Sequence, residues 1–228
     1  MRIVELFASK QGEGIWIGEE STFVRVGGCH LHCRFCDTPY ASWNLEDGEE
    51  LAVEKILERV QQLNRNHVVL TGGEPMLFSE LVPLTEHLEA LGYTITIETS
   101  GTLDLPICCH LMSISPKLSN SVPVDANESI RRRHESNRFQ PEITQKLINR
   151  YPYQLKFVMD TPDDIGEMEQ FLEQFENVMP DRVLLMPQAV TTDEMRERET
   201  WIRACCEKKG YRYCPRMQIV WYGNKRGT

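Results

Sequence analysis

The sequence predicts an α/β fold: a partial, open barrel of about six parallel strands. Three observations predict it. Short apolar, β-branched runs alternate with stretches of helical period, the pattern of βαβ units around a parallel sheet. Polar and glycine-rich residues gather just past the carboxyl end of one run after another, the face on which parallel α/β barrels bind ligands. Six such runs are fewer than the eight of a closed barrel, so the sheet is expected to be TIM-like but open.

The strands are expected, in order, at STFVRV (21–26), HVVL (67–70), YTITI (93–97), LMSI (111–114), YQLKFV (153–158) and RVLLM (182–186), each rich in residues that suit a pleated surface. Between them, apolar residues recur at helical spacing in 50–63, 79–91, 163–177 and 192–209. No low-complexity linker divides the chain, so residues 1–228 read as one domain. Residues 120–152 are expected to form an insertion of one or two helices. The strand ends read TGGEP (71–75), ETSG (98–101), SPK (115–117), MDTP (159–162) and PQ (187–188). Turn chemistry accounts for the glycines. It accounts poorly for Glu74, Glu98, Ser115, Lys117 and Gln188 arriving at the same end.

The chain has 228 residues, 41% hydrophobic and 26% charged, which fits one well-buried globular domain. Its formal net charge of −9 argues against nucleic acid as a partner, because backbone binding needs a concentrated basic face. The run Arg131-Arg132-Arg133 reads as a solvated helix face. No apolar run approaches the roughly 18 residues needed to span a bilayer, so no membrane partner is expected. The N-terminus, MRIVELFASKQGEG, lacks a signal-peptide pattern, since its apolar stretch is short and carries Glu5. A cytoplasmic location is the expectation.

Eight cysteines without a secretory signal point to metal or redox chemistry before disulfides. Cys108, Cys109, Cys205, Cys206 and Cys214 have no compact ligand spacing and read as small buried apolar residues. Cys29, Cys33 and Cys36 share one loop. A structural zinc site would need a fourth ligand, and His30 or His32 could serve only through a strained turn. A merely buried set of thiols fits poorly with Gly27, Gly28, Asp37 and Pro39 around it. Three thiolates can instead hold a 4Fe–4S cluster whose fourth iron stays open to the amino and carboxylate groups of an amino acid. If that amino acid is the methionine part of S-adenosylmethionine, one electron breaks the carbon–sulfur bond. The resulting 5′-deoxyadenosyl radical removes hydrogen from an unactivated carbon.

The spacing Cys29-x3-Cys33-x2-Cys36, with Phe35 before the last cysteine, resembles the signature of the radical S-adenosylmethionine superfamily, and TGGEP directly after a strand strengthens the likeness. The segments QGEG (11–14), FVRVGGC (23–29), CDT (36–38), TGGEP, ETSG, ISPK (114–117) and YGNKRGT (222–228) together resemble the 7-carboxy-7-deazaguanine synthase family, which makes the deazapurine core of the tRNA nucleoside queuosine. The resemblance implies a radical SAM fold and a lyase. It converts 6-carboxy-5,6,7,8-tetrahydropterin to 7-carboxy-7-deazaguanine with loss of ammonia. Hydrogen is taken from C6 and later returned, so S-adenosylmethionine is regenerated. The resemblance also implies magnesium on the substrate carboxylate, a reductant such as flavodoxin, and a homodimer.

Residue by residue, the likeness carries the cluster to Cys29, Cys33 and Cys36, and magnesium to Thr38. It carries S-adenosylmethionine to Phe35, Asp37, Gly73, Glu74, Glu98, Ser115, Pro116, Lys117 and Gln188. In the superfamily the GGE segment offers backbone carbonyls to the methionine amino group, and its glycines would permit the close approach. The substrate falls to Lys10, Gln11, Gly12, Glu13, Arg25 and Thr71. The planar guanidinium of Arg25 suits a carboxylate, and Glu13 suits the amidine edge of a pterin. One position departs from the pattern: relatives commonly carry histidine where this chain has Gln218, an amide that cannot titrate. Two rivals remain open at this point. One is another radical SAM enzyme, such as a glycyl-radical activating enzyme, which needs a surface groove for a protein partner. The other is a non-catalytic zinc-binding protein.

Overall fold

The computed structural model describes residues 1–43, 48–223 and 225–228. The elements run β1 (Arg2–Lys10), β2 (Glu20–Val26), α1 (Pro39–Ser42), β3 (Glu49–Glu50), α2 (Val53–Leu63), β4 (His67–Gly72), α3 (Leu81–Ala90), β5 (Thr94–Thr99), β6 (Leu111–Ile114), α4 (Glu128–Arg138), α5 (Pro141–Arg150), β7 (Tyr153–Met159), α6 (Asp164–Leu172), β8 (Val183–Pro187), α7 (Thr192–Lys209), β9 (Arg212–Tyr213) and α8 (Met217–Tyr222). The strands form one sheet in the order β3-β1-β2-β4-β5-β6-β7-β8-β9. β2, β4, β5, β6, β7 and β8 pair in parallel, each with the next in sequence. These are the six predicted strands, and the sheet is open, with β3 and β9 at its two ends. No helix among the described residues is long and apolar enough to cross a membrane.

Strand alternation divides each strand between two environments. Val24, Val68, Leu70, Ile95, Ile97, Met112, Leu155, Phe157 and Leu185 pack with Ile56, Val60, Leu84, Leu88, Leu147, Phe171 and Ile202 of the helices in one core. Full burial of side chains this size contributes roughly 1.5–3 kcal/mol each. The residues between them on the strands, among them Phe23, Arg25, Thr71, Glu98, Lys156 and Met186, face a cavity on the other side of the sheet.

Three elements differ from the sequence reading. β1 was not anticipated, because RIVELFASK mixes charged and apolar residues without clean alternation; it is an antiparallel partner of β2. Helix 50–63 begins only at Val53, because Glu49–Glu50 pair with Arg2 and Ile3. Helix 163–177 stops at Leu172. By contrast α7 spans Thr192–Lys209 as expected, with a Thr191/Glu194 capping box at one end and left-handed Gly210 at the other. Residues 120–152 do hold two helices, but they are the crossover between β6 and β7. α5 buries Thr144, Leu147 and Ile148 against the core, while α4 buries only His134.

Candidate active site

The cavity has a volume of 380 Å³ and opens at the carboxyl ends of the parallel strands. It is lined by every site residue expected from the sequence except Pro116, which is buried between Ser115 and Lys117 and does not reach it.

The cysteine loop follows β2 and is bolted to the loop after β4. Gly73 donates to the Val26 carbonyl at 3.1 Å and Glu74 to the Gly28 carbonyl at 2.8 Å. A Cβ on Gly73 would lie 2.0 Å from the Gly28 oxygen, and one on Gly72, whose φ is +126°, 2.2 Å from the Val26 oxygen. The glycines of TGGEP are therefore demanded by this backbone-to-backbone contact, besides any approach to a cofactor that the sequence suggested. Glu74 lines the cavity yet is only 1% exposed. It accepts from Thr99 Oγ1 (2.7 Å), Ser100 N (2.8 Å), Ser100 Oγ (2.6 Å) and Met76 N (3.2 Å), tying the β4 loop to the β5 loop.

Cys29, Cys33 and Cys36 all face the cavity. Burial pushes the Cys29 thiol up to about 12, with Glu74 adding to the effect, and burial pushes Cys33 up to about 11. Both therefore stay protonated until a metal displaces the proton. Among the described residues no three Cys, His, Asp or Glu side chains stand close enough to hold a single metal ion. The two histidines of the loop make contacts of their own, although His30 Nδ1 is buried without a hydrogen-bond partner. His30 Nε2 bonds Thr102 Oγ1 at 2.7 Å, and the His32 ring stacks on Trp43 with centroids 3.6 Å apart. The other five cysteines lie elsewhere. Cys206 and the half-buried Cys109 and Cys205 pack on the core, and Cys108 N bonds Thr85 Oγ1. Cys214 is more than filler: its Sγ accepts from Gly14 N at 3.1 Å and pins the QGEG loop.

On the cofactor side of the expected site, Lys117 Nζ donates to Ser115 Oγ at 2.7 Å and to the Ser115 carbonyl at 2.8 Å, so cation and hydroxyl are presented together. Thr38 Oγ1 lies 3.9 Å from Cys36 Sγ. A single hydroxyl is too few ligands for Mg²⁺, so an ion held here would need further oxygen ligands from outside the chain.

The side expected to hold the substrate is an ion network. Lys156 of β7 donates from Nζ to Glu13 Oε2 at 2.6 Å and to Glu98 Oε2 at 3.0 Å. Arg216 Nε donates to Glu13 Oε1 at 3.2 Å, its Nη2 to Asp37 Oδ2 and its Nη1 to the Ala189 carbonyl. Gln218 Nε2 donates to Glu13 Oε1 at 2.7 Å. Burial by itself would raise the Glu13 carboxyl; Lys156 and Arg216 overcome it and hold the group well below the ordinary carboxylate range. Glu98, expected to contact the cofactor, belongs to this network and also accepts from Ser113 Oγ at 2.9 Å and Gln11 Nε2 at 3.4 Å. Gln11 is only 6% exposed and its amide braces the loop, accepting from Glu13 N at 3.2 Å. Arg25 is held by Nε on Glu5 Oε2 at 2.7 Å, beside Phe7 and Phe23 stacked 5.3 Å apart.

Sequence reasoning missed Lys156, Arg216, Glu5 and Tyr40. Lys156 had a signal: it sits on the face of YQLKFV opposite Tyr153, Leu155 and Phe157, so a cation was bound to point into the barrel. Arg216 had none, since its partners lie 203 and 179 positions away. Gln218, set aside as a departure, proves to line the cavity.

A family model described as the radical SAM superfamily matches residues 23–112. A 7-carboxy-7-deazaguanine synthase of Rhodopirellula baltica is 42% identical, covering 99% of this chain and 88% of the relative. One from Halobacterium salinarum is 37% identical, covering 99% and 92%. Among solved structures, the crystal structure of QueE from Escherichia coli matches with a TM-score of 0.71 at 25% identity, covering 94% of this chain and 92% of that one.

Proposed function

The chain belongs to the 7-carboxy-7-deazaguanine synthase family of radical SAM enzymes, and from that premise we propose that its cavity converts 6-carboxy-5,6,7,8-tetrahydropterin to 7-carboxy-7-deazaguanine with loss of ammonia. The protein is a lyase that works with a [4Fe-4S] cluster, S-adenosylmethionine and magnesium. When bound, the cluster and S-adenosylmethionine supply a hydrogen-abstracting 5′-deoxyadenosyl radical, and magnesium supplies positive charge for a carboxylate.

The chain's own residues bind, orient and enclose. Cys29, Cys33 and Cys36 hold the cluster, and Thr38 offers its hydroxyl to magnesium. Ser115 and Lys117 anchor the methionine carboxylate, and the Gly73 backbone takes the amino group. Arg25 presents its two terminal nitrogens to the substrate carboxylate. Glu13, kept ionised by Lys156 and Arg216, accepts hydrogen bonds from the amidine edge, with Gln218 orienting the same carboxylate. The stacked Phe7 and Phe23 give the heterocycle an apolar wall. The same reading takes residues 1–228 as one domain and implies an external one-electron donor such as a flavodoxin, a homodimer and a cytoplasmic location.

The observation that carries the proposal is convergence: the cysteine loop, the Ser115–Lys117 pair, Glu13 and Arg25 all line one cavity of 380 Å³. That size and the buried charges fit a small anionic heterocycle rather than a protein loop. The test is an anaerobic assay of reconstituted, reduced protein with 6-carboxytetrahydropterin. A new deazapurine absorbance is expected, with S-adenosylmethionine not consumed in proportion to product. S-adenosylmethionine cleavage without any deazapurine product would defeat the substrate assignment.

A further inference from the structure

We infer that Glu5 is a positioning residue for the substrate: one carboxylate locks the Arg25 guanidinium and latches the C-terminal segment against the cavity through Arg226. The inference rests on the reading of Arg25 as the anchor of the carboxypterin.

An acid beside an arginine meant for an anion looks counterproductive, and the backbone goes out of its way to put it there. In the β1–β2 ladder Glu5 lies opposite Arg25 and Phe7 opposite Phe23, but the register shifts between Ile3 and Glu5. Strict alternation would send Ile3 to the same face as Glu5. The bulge instead turns Ile3, 4% exposed, into the helix-side core and leaves Glu5 beside the cavity wall. Re-aiming a side chain next to a site is a recurrent use of such bulges.

The Glu5 carboxylate, 10% exposed, is fully employed. Oε2 accepts from Arg25 Nε at 2.7 Å and from Tyr40 OH at 3.1 Å, and Oε1 accepts from Arg226 Nε at 2.7 Å. The Arg226 guanidinium also lies 4.3 Å over the Tyr40 ring. Gripping Arg25 by Nε removes the rotamer freedom that a long side chain would otherwise lose on binding, while leaving its terminal nitrogens for a bidentate contact. Two guanidiniums share one carboxylate, so the group remains cationic, and Lys10 and Lys225 line the same cavity. Arg226 arrives from the far end of the chain, and with it Lys225 and Thr228 become part of the cavity wall. Glu5 thus joins the first strand, the carboxylate anchor and the last residues in one contact.

The test uses reconstituted, S-adenosylmethionine-loaded enzyme. Glu5→Ala is expected to raise KM and Kd for 6-carboxytetrahydropterin by roughly 10- to 100-fold, the range for losing a hydrogen bond to a charged group. kcat and S-adenosylmethionine affinity should stay within about twofold. Trypsin should remove the residues beyond Lys225 and Arg226 several-fold faster, as read by mass. Glu5→Gln keeps the acceptor oxygen and should recover part of the substrate affinity; it also serves if Glu5→Ala does not fold. Unchanged substrate affinity in Glu5→Ala, alongside at least a tenfold loss in Arg25→Ala, overturns the role of Glu5 and leaves the substrate reading intact. Unchanged affinity in both variants overturns the substrate reading, and the positioning role with it. Tail cleavage at the wild-type rate in Glu5→Ala and in Arg226→Ala overturns the latch.

Discussion

Replacing Lys156 by methionine removes one cation from between two carboxylates. The Nζ lies 2.6 Å from Glu13 and 3.0 Å from Glu98, and its side chain is only 4% exposed. In the variant, Arg216 still pairs with Glu13, but among the described residues no other cation pairs with Glu98. Breaking a buried pair by removing one partner costs about 3–5 kcal/mol, because the other charge stays buried and uncompensated. For a chain of this size each kcal/mol moves Tm by about 2–4 °C. A fall of roughly 6–20 °C at pH 7 is therefore expected for Lys156→Met in thermal melts followed by circular dichroism. Adding Glu98→Gln removes the orphaned charge and should restore a large part of the loss. The pH dependence has a definite sign. The native Glu13 carboxyl lies below its ordinary value of 4.5, so its contribution is present above that pH and lost as pH falls below it. Without Lys156 this acid limb should flatten, and the gap between wild type and variant should narrow toward pH 3. A drop under about 2 °C at pH 7, or a double variant no more stable than the single one, would show that the network is not held by this lysine.

Further predictions concern other parts of the site and fold. Reconstituted wild-type protein should carry about four irons per chain, and Cys33→Ala should lose them together with reductive S-adenosylmethionine cleavage; full iron content and cleavage in the variant would remove Cys33 from the cluster. Gly73→Ala must push the Gly28 carbonyl aside, so it should cost about 1–3 kcal/mol of stability and weaken S-adenosylmethionine binding; an unchanged Tm and affinity would contradict the backbone contact. His67 is 2% exposed, bonded to Ser21 and Thr96, and burial lowers its pKa to about 4. Its contribution is present above the unfolded value of 6.5 and is lost as pH falls toward 4, up to about 3 kcal/mol; an NMR titration midpoint near 6.5 would refute this.

The legible part of the fold was the part governed by local pattern. The six parallel strands and α7 follow from apolar alternation, helical spacing and a capping box, all of which act over a few residues. β1 and the start of α2 were not legible, because strand pairing between Arg2–Ile3 and Glu49–Glu50 overrode weak local preference. The site divides in the same way. The cysteine spacing, TGGEP and the Ser115–Lys117 pair are contiguous in sequence, since loops that meet a bound group at a strand end must bring its contacts within a few residues.

By itself, the sequence determined that three thiols share one loop, that polar residues end the parallel strands, and that this chemistry belongs at one end of an open α/β barrel. Only the tertiary structure decided which charges meet there. Glu13 finds Lys156 and Arg216 143 and 203 residues away, and Glu5 holds both Arg25 and Arg226, the latter 221 residues away. The physical reason is that strand and helix periods set which way a side chain faces, whereas the partner of a buried charge is set by which distant segment closes over it.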